Sequence, residues 1–392
     1  MRQPHPARRV LAALDTTSHI QREALRGLRR VEEVAGWSVT CVRGSTAAVV
    51  DSLNDPRAAK PAFDGLIAGS EVEPGELAEL VAAEAMPPVI GFNRDTIADG
   101  WPCVLPDDEA VGRVAAEHFL NRGVRSFSVV EVRQHQWAVD RLDGFVERVV
   151  ASGERRPVLL PYHETITGGL HKMAAWLASL PEPPSGPIGI FAVCDGWGES
   201  VLNACGQGRL AVPERIAVVS ADDDPRGQVT RPPLSSIPLR WADAGARAAR
   251  MLETLMDGRP LPARVERVSP GEVVVRTSSD VLGLSNPTVA AALRLMHASF
   301  HEGVRIGDIA RHVEVPRRNL ERAFRAAIGR TPKQELTRIR IEHAKRMLVE
   351  SDVPLADIAA DSGYGNATRL GIAFKAATGT TPIAFRKRHR ES

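Results

Sequence analysis

The C-terminal part of the chain contains one pattern twice, first as Ile306-Gly-Asp-Ile-Ala310 with Gly329-Arg-Thr-Pro332 and then as Leu355-Ala-Asp-Ile-Ala359 with Gly379-Thr-Thr-Pro382. Phe324 and Phe374 lie 50 positions apart within the two copies. In each copy the spacing indicates a short apolar helix, a break and a second apolar helix that ends at a glycine. A repeat array needs at least about three units. Two copies therefore predict a pair of helix-turn-helix units.

The second helix of each unit is predicted to present polar and basic side chains opposite its apolar face. Such a helix enters the major groove of duplex DNA. An ordinary helical bundle with solvated arginines is disfavoured because both the turn and the basic face are duplicated. A longer helix, residues 333–350, is expected to hold the two units about 34 Å apart on one face of the duplex. The expected DNA-binding residues are Arg317, Arg318, Asn319, Glu321, Arg322, Asn366, Thr368 and Arg369.

These residues also carry a family resemblance, through Asp308-Ile-Ala310, Asn319-Leu-Glu-Arg-Ala-Phe324, Arg340-Ile-Glu-His-Ala344 and Asp357-Ile-Ala359. The segment from about Asn286 to Arg390 resembles the DNA-binding domain of the AraC family of bacterial transcription regulators. Ile372 stands where family members often carry a polar or basic residue. The resemblance therefore implies that the second unit discriminates bases less than the first.

Charge divides the chain in the same place. From Ser285 onward the sequence has 19 basic and 11 acidic residues, a net charge of +8, which leaves −6 for the preceding residues given the total of +2. A basic module joined to an acidic one indicates that only the C-terminal part contacts a polyanion.

Composition excludes several other classes of protein. With 43% hydrophobic and 25% charged residues the chain is typical of soluble globular proteins. The first apolar run, Val10–Leu14, is too short for a signal peptide or a membrane span. We therefore expect a cytoplasmic protein with reduced thiols at its four scattered cysteines, Cys41, Cys103, Cys194 and Cys205.

Residues 9–277 alternate short apolar runs with helical patterns. Strands are predicted at residues 10–14, 37–42, 63–68, 88–91, 126–130, 156–160, 188–193, 216–220 and 273–275. Helices are predicted at residues 19–34, 76–85, 107–123, from 141 onward, 169–180, 198–207 and 242–257. Such alternation predicts parallel sheets covered by helices, here in two consecutive α/β lobes of about 130 residues with a ligand cleft between them.

The α/β region resembles the sugar-sensing domain of LacI-family repressors, which is similar to periplasmic sugar-binding proteins. The resemblance rests on Phe63-Asp-Gly-Leu-Ile67, Asp107-Asp-Glu-Ala-Val-Gly112, Arg141-Leu-Asp-Gly-Phe145, Ile190-Phe-Ala-Val-Cys-Asp195 and Arg231-Pro-Pro-Leu-Ser-Ser-Ile237. The expected fold is thus a two-lobed, periplasmic-binding-protein-like α/β sensor followed by an all-α domain with two helix-turn-helix units. The expected boundaries are 1–280 for the sensor, 281–287 for a linker and 288–392 for the DNA-binding domain.

Several charged and aromatic residues are candidates for binding a polyhydroxylated ligand. Carboxylates accept hydrogen bonds from paired hydroxyl groups, and an arginine donates through a planar fork. By position in the LacI-like region, Arg141 is the leading donor and Asp222 the leading acceptor. The candidate ligand-binding residues are Asp15, Thr16, Trp137, Arg141, Asp195, Asp222 and Trp241.

The combination of the two domains resembles the xylose-operon activators. It implies a ligand-responsive transcription regulator of carbohydrate-use genes, with a monosaccharide effector, a pentose such as xylose being favoured. The expected partners are double-stranded DNA, the effector, a second copy of the chain and RNA polymerase. No cofactor, metal or membrane is expected.

Three alternatives stay open. The chain could be a ligand-blind DNA-binding protein whose α/β region only dimerises. It could also sense a non-sugar effector such as a purine. A carbohydrate-processing enzyme is disfavoured because the sequence offers neither a nucleophile–base pair nor a glycine-rich phosphate loop after a strand.

Overall fold

Two separate parallel sheets, followed by a helical domain, make up the part of the chain that the computed structural model describes. The described residues are 8–55, 62–81, 86–92, 100–161, 169–183, 186–281, 286–351 and 353–390. None of the helices in these ranges is long and apolar enough to span a membrane.

The first sheet lies in lobe 1. Its strands are β1 (Arg9–Ala13), β2 (Ser38–Val42), β3 (Gly65–Ala68), β4 (Val89–Gly91), β5 (Cys103–Pro106) and β11 (Val265–Val268). Their order across the sheet is β11-β5-β4-β3-β1-β2, and all neighbours are parallel. The helices packed on this sheet are α1 (His19–Ala35), α2 (Thr46–Leu53), α3 (Pro74–Leu80) and α8 (Trp241–Met256).

The second sheet lies in lobe 2. Its strands are β6 (Ser126–Glu131), β7 (Val158–Pro161), β8 (Ile188–Phe191), β9 (Ile216–Ala221) and β10 (Ser235–Ile237), in the order β10-β9-β8-β6-β7. The helices packed on it are α4 (Asp108–Asn121), α5 (Gln136–Ala151), α6 (Gly169–Ser179) and α7 (Asp195–Gly208). Its core centres on three fully buried rings, with centroids 6.4 Å apart between Phe119 and Phe145 and 5.1 Å apart between Phe145 and Phe191.

The two lobes are interleaved along the chain, and the prediction of consecutive lobes is wrong. The chain enters lobe 2 at α4 and returns to lobe 1 for α8 and β11. It then goes back to lobe 2, where Ser278 Oγ donates to the carbonyl of Val218 at 2.7 Å. The predicted closing strand 273–275 is reduced to one antiparallel bridge, between Val274 and Ser236. The strand at the edge of the first sheet is instead β11, Val-Glu-Arg-Val. Its polar residues interrupt the apolar run from which a buried strand is predicted.

Two glycines allow α4 and α5 to cross closely. A Cβ on Gly112 would lie 1.9 Å from the carbonyl oxygen of Arg141, and one on Gly144 would lie 2.1 Å from that of Glu109. No side chain fits at such separations, so glycine at both positions sets how deeply α5 sits against α4. This crossing fixes the position of Arg141 relative to the start of α4.

The helical domain confirms the duplicated pattern. Its helices are α9 (Pro287–Ser299), α10 (Ile306–His312), α11 (Arg317–Ile328), α12 (Pro332–Glu350), α13 (Leu355–Asp361), α14 (Ala367–Thr378) and α15 (Pro382–Arg390). The pairs α10–α11 and α13–α14 are the two helix-turn-helix units, and α12 connects them. Most of the predicted linker 281–287 lies outside the described residues.

Each unit has its own core. Leu320 and Phe324 are fully buried with residues of α9 and α12, whereas Leu370 and Phe374 are fully buried with the C-terminal half of α12. The turn of the second unit uses Gly363, which has a φ of +73° and passes so close to Phe300 that a Cβ would lie 2.0 Å from its carbonyl oxygen. A glycine is therefore required at this turn.

Candidate ligand cleft and nucleic-acid interface

A cleft of about 560 Å³ lies between the lobes. Most of its lining residues follow the carboxyl ends of strands, as expected for an open parallel α/β sheet. Ser70 and Phe92 come from lobe 1, after β3 and β4, whereas Cys194 and Asp222 come from lobe 2, after β8 and β9. Ligand contacts from both sheets would hold the two lobes together.

Arg141 is a buried cation in this cleft. It projects from α5 and is only 4% exposed. Its Nε donates to Oδ1 of Asp108 at 2.8 Å, and its Nη1 donates to the carbonyl of Val193 at 2.7 Å and to Oδ1 of Asp222 at 3.4 Å. A guanidinium carries five N–H donors, more than these three acceptors use. It can therefore also donate to a ligand oxygen.

The electrostatics of this cluster are set by burial. Burial raises the pKa of Asp222 to about 7, with the Arg141 guanidinium opposing the rise and the Asp195 carboxylate adding to it. Burial also raises the pKa of Asp108. Although burial lowers the pKa of Arg141, the two carboxylates outweigh it and keep this pKa above its ordinary value. Asp222 therefore changes charge near neutral pH, whereas Arg141 stays a cation.

The backbone of Asp222 is strained. Its φ is +115°, a conformation that residues with a side chain rarely adopt, and its N–H donates to the carbonyl of Ile237 at 3.0 Å. Strain of this kind is concentrated at functional sites. Here it places a carboxylate at the wall of the cleft, beside Arg141.

Aromatic rings line the same space. The Arg141 guanidinium lies 4.7 Å from the ring centroid of Trp137, and the His135 ring stacks on Trp137 with centroids 5.6 Å apart. Trp241 and Phe92 also line the cleft, and their rings pack edge to face with centroids 6.1 Å apart. The buried Nε1 of Trp241 has no acceptor within the described part of the chain. The cleft thus offers flat apolar faces next to charged groups.

Three of the predicted ligand residues do not line this cleft. Both carboxylate oxygens of Asp15 accept from the hydroxyl of Thr17, and its neighbour Thr16 is exposed. Asp195 is buried, where its carboxylate accepts from the hydroxyls of Ser220 and Ser236 and from the N–H of Asp224 at 2.7 Å. Its oxygens hold the start of α7 against β9 and β10.

The structure brings Arg141, Asp222, Trp137 and Trp241 together, and it adds Asp108. Asp108 was not singled out in the sequence because β5, the strand that ends just before it, was not predicted. The signal was present as Cys103-Val-Leu-Pro106, a buried run that is followed directly by carboxylates. Among the described residues, no group of three His, Cys, Asp or Glu side chains could hold a metal ion.

In the helical domain, the outer faces of α11 and α14 are exposed. Arg318, Arg322 and Thr368 lie on these faces. Other predicted contacts are partly engaged within the protein, because Arg317 pairs with Glu321 at 3.0 Å and Asn366 caps α14. Among the described residues both outer faces are exposed, so each can contact a partner.

The domains meet at the C-terminal end of α4. Asn121 accepts from Arg330 at 2.9 Å, and Arg330 also pairs with Glu335 of α12 at 3.1 Å. Arg338 pairs with the same buried carboxylate at 2.8 Å. A pocket of about 200 Å³ adjoins this contact and is lined by α4, α12 and residues 269–273, which follow β11. The contact therefore involves α4 of lobe 2 and the segment that leads from β11 of lobe 1 back onto lobe 2, where the N–H of Gly271 donates to the carbonyl of Pro238 at 2.8 Å.

Comparisons with known proteins agree with both halves of the chain. Residues 116–279 match the family described as "Periplasmic binding protein-like domain", and residues 309–388 match "Helix-turn-helix domain". The chain is 27% identical to the xylose operon regulatory protein of Haemophilus influenzae over 83% of this chain and 85% of that protein. It is also 27% identical to the protein of that name from Escherichia coli K12, over 82% and 83%.

A solved structure described as the xylose-binding transcription activator XylR has the same fold throughout. It aligns over 98% of both chains with a TM-score of 0.57 and 22% identity. The two domains, their order and the exposed outer faces of α11 and α14 lead to one conclusion. The chain is a ligand-responsive, DNA-binding transcription regulator in which a periplasmic-binding-protein-like sensor domain precedes an AraC-type helix-turn-helix domain.

Proposed function

We propose that the effector is a monosaccharide, a pentose such as xylose, which binds between the lobes and changes the affinity of the DNA-binding domain for its operator. The observation that carries this proposal is Arg141, buried between Asp108 and Asp222 with Trp137 over its guanidinium. A sugar presents paired hydroxyls at its rim and C–H groups on its faces. The carboxylate of Asp222, the donors of Arg141 and the ring of Trp137 match these groups in one place.

The similar proteins that regulate xylose operons favour xylose within this class. A purine or another planar effector would also stack on Trp137. It lacks the ring hydroxyls that need both a carboxylate and a guanidinium. The buried Nε1 of Trp241 adds a further donor for a sugar oxygen.

Helix α4 supports a route from the cleft to the DNA-binding domain. Its first residue, Asp108, holds Arg141, and its last residue, Asn121, holds Arg330. Fourteen residues of helix span roughly 21 Å. A ligand that draws the lobes together moves α4, with the rest of lobe 2, relative to lobe 1 and to β11, from which the segment 269–273 leads to this contact. The position of α12, which contacts the end of α4 through Arg330, changes with that motion. Both helix-turn-helix units pack on α12 and would move with it.

The full chain acts as a homodimer that works with RNA polymerase in this proposal. Two copies of the chain would place two pairs of α11 and α14, the helices expected to enter the major groove, on a symmetric operator. Sedimentation of the chain on operator duplexes tests the stoichiometry. Two chains per operator support the dimer, and one chain contradicts it. Transcription with purified polymerase tests the other partner.

Thermal unfolding with a panel of sugars tests the effector. A ligand at 100 times its Kd stabilises the folded state by about 2.7 kcal/mol. We expect xylose to raise Tm in this way, whereas adenine, guanine and a hexose control leave it unchanged. Stabilisation by a purine alone would replace the sugar with a non-sugar effector, and no stabilisation by any member would favour a ligand-blind protein. Recovery of unaltered xylose after prolonged incubation separates a sensor from a carbohydrate-processing enzyme.

A further inference from the structure

The two reading helices, α11 and α14, are equivalent position by position. Leu320 and Leu370 are fully buried 50 residues apart, and so are Phe324 and Phe374. A helix whose two buried anchors coincide also presents its outer positions in the same directions. Position 322 of the first unit therefore corresponds to position 372 of the second.

The chemistry at this shared position differs between the units. The first unit has Arg322, whereas the second has Ile372, which is 70% exposed. A single exposed apolar side chain is ordinary on a protein surface. This one lies on the outer face of a reading helix that contains no acidic residue, with Arg369 and Lys375 exposed beside it. A basic surface with an isoleucine at its centre suits a polyanion that offers an apolar group.

Duplex DNA offers such a group in its major groove. The C5-methyl of thymine is the apolar feature of the base edges, and guanine offers O6 and N7 to arginine. We propose that Ile372 packs on thymine methyl groups, so that α14 selects thymine where α11 selects guanine through Arg318 and Arg322. This proposal rests on the DNA-binding function of both units. It replaces the expectation that the second unit discriminates bases less.

The experiment uses the full chain and duplexes selected by it from a randomised library. The selected sequence is expected to contain a guanine box and a thymine box about 10 base pairs apart. Each thymine is then replaced singly by deoxyuracil, which lacks only the C5-methyl. We expect one or two replacements in the thymine box to weaken binding about three- to five-fold, as the loss of one buried methyl predicts.

Two variants assign this loss to Ile372. Ile372→Ala is expected to bind the thymine and uracil duplexes equally, and Ile372→Arg to select guanine in the second box. Ile383→Ala is the matched control, since Ile383 is 71% exposed but lies on α15. It should keep the wild-type uracil penalty.

The proposal is overturned if the wild-type chain tolerates uracil at every position, or if Ile372→Ala retains the penalty. Binding without methyl dependence would remove this proposal alone. A wild-type chain that binds no duplex would remove the DNA-binding function with it, so the two failures are distinguishable.

Discussion

Asn121 of the sensor domain accepts a hydrogen bond of 2.9 Å from Arg330 of the DNA-binding domain. Arg330 is also paired with Glu335, whose side chain is 5% exposed. One side chain thus joins the end of α4 to the start of α12. Because the other end of α4 holds Arg141 through Asp108, this contact lies between the ligand cleft and both reading helices.

Removing this contact should uncouple the domains while leaving each functional. We expect Asn121→Ala to bind sugar and operator with nearly wild-type affinities but to lose most of the effect of one on the other. Coupling between sites typically corresponds to about 1–3 kcal/mol, or roughly 5- to 150-fold. Operator titrations with and without xylose measure it.

Arg125→Ala is the control for this variant, since Arg125 lies just beyond α4 and pairs with Glu154 of the same lobe at 3.3 Å. It should retain the wild-type coupling. Equal coupling in Asn121→Ala and the wild-type chain would show that the contact carries none of it.

Arg141→Lys should abolish most sugar binding without unfolding the protein. A lysine keeps the positive charge between the two carboxylates but loses the planar fork that reaches three acceptors and a ligand. Hydrogen bonds to charged groups contribute about 1.5–3 kcal/mol, so we expect at least about a ten-fold loss of affinity by calorimetry. Arg148→Lys, on the same helix but outside the cleft, should bind normally. Normal binding by Arg141→Lys would place the ligand elsewhere.

Sugar binding should depend on pH through Asp222. Its pKa is raised to about 7 by burial, so the carboxylate that accepts sugar hydroxyls is fully present only above that pH. We expect the sugar Kd to fall as pH rises from 6 to 8 and the pH dependence to disappear in Asp222→Asn. A wild-type Kd that is constant over this range would contradict the assignment.

The same group has the opposite effect on the stability of the empty protein. A carboxyl with a folded-state pKa above its unfolded value binds more protons when folded, so its contribution to stability decreases as pH rises from about 4 to 7. Relative to Asp222→Asn, the wild-type chain should lose stability over this window by no more than about 4 kcal/mol, since one pKa unit corresponds to about 1.4 kcal/mol. Urea unfolding at several pH values tests the sign.

Arg318 and Arg317 should affect DNA binding differently although they are adjacent. We propose that Arg318 contacts guanine, and a bidentate contact of that kind contributes about 1–3 kcal/mol of base discrimination. Arg318→Ala should therefore weaken binding to the selected duplex more than to a random one. Arg317→Ala should weaken both equally and reduce the salt slope by about 0.9. Identical losses for the two variants would show that Arg318 contacts only phosphate.

Much of the fold was predictable because its signals are local. The duplicated helical spacing placed Leu320, Phe324, Leu370 and Phe374 in the two cores, and the structure confirms it. Buried parallel strands such as β1 and β9 are continuous apolar runs that stand out in the sequence. The helix expected from Arg141 onward begins five residues earlier, at Gln136, because Gln136 and Trp137 give no start signal.

The interleaving of the lobes was not predictable in the same way. An apolar run shows that a strand exists but not which strand it pairs with. One of the two partners of β5 is β11, whose Glu266 and Arg267 give it the sequence pattern of a loop. The short strands β5 and β10 and the helix α2 were also missed.

The same distinction between local sequence signals and tertiary contacts applies to the candidate site. Arg141 and Asp222 could be proposed from their positions in the region that resembles LacI-family sensors. Asp195 shares that placement, yet its carboxylate is directed to Ser220 and Ser236, an orientation that depends on tertiary contacts between β9 and β10. The contact between Asn121 and Arg330 joins residues 209 positions apart and has no local signature.

The most direct test of the central claim is the reciprocity of the two binding equilibria. The xylose Kd of the full chain is measured free and on saturating operator, and the operator Kd is measured with and without saturating xylose. If the cleft and the reading helices share one conformational equilibrium, xylose and operator must change each other's affinity by the same factor, which we expect to lie between about 5 and 150. Two Kd values for xylose that agree in the presence and absence of operator would contradict the account.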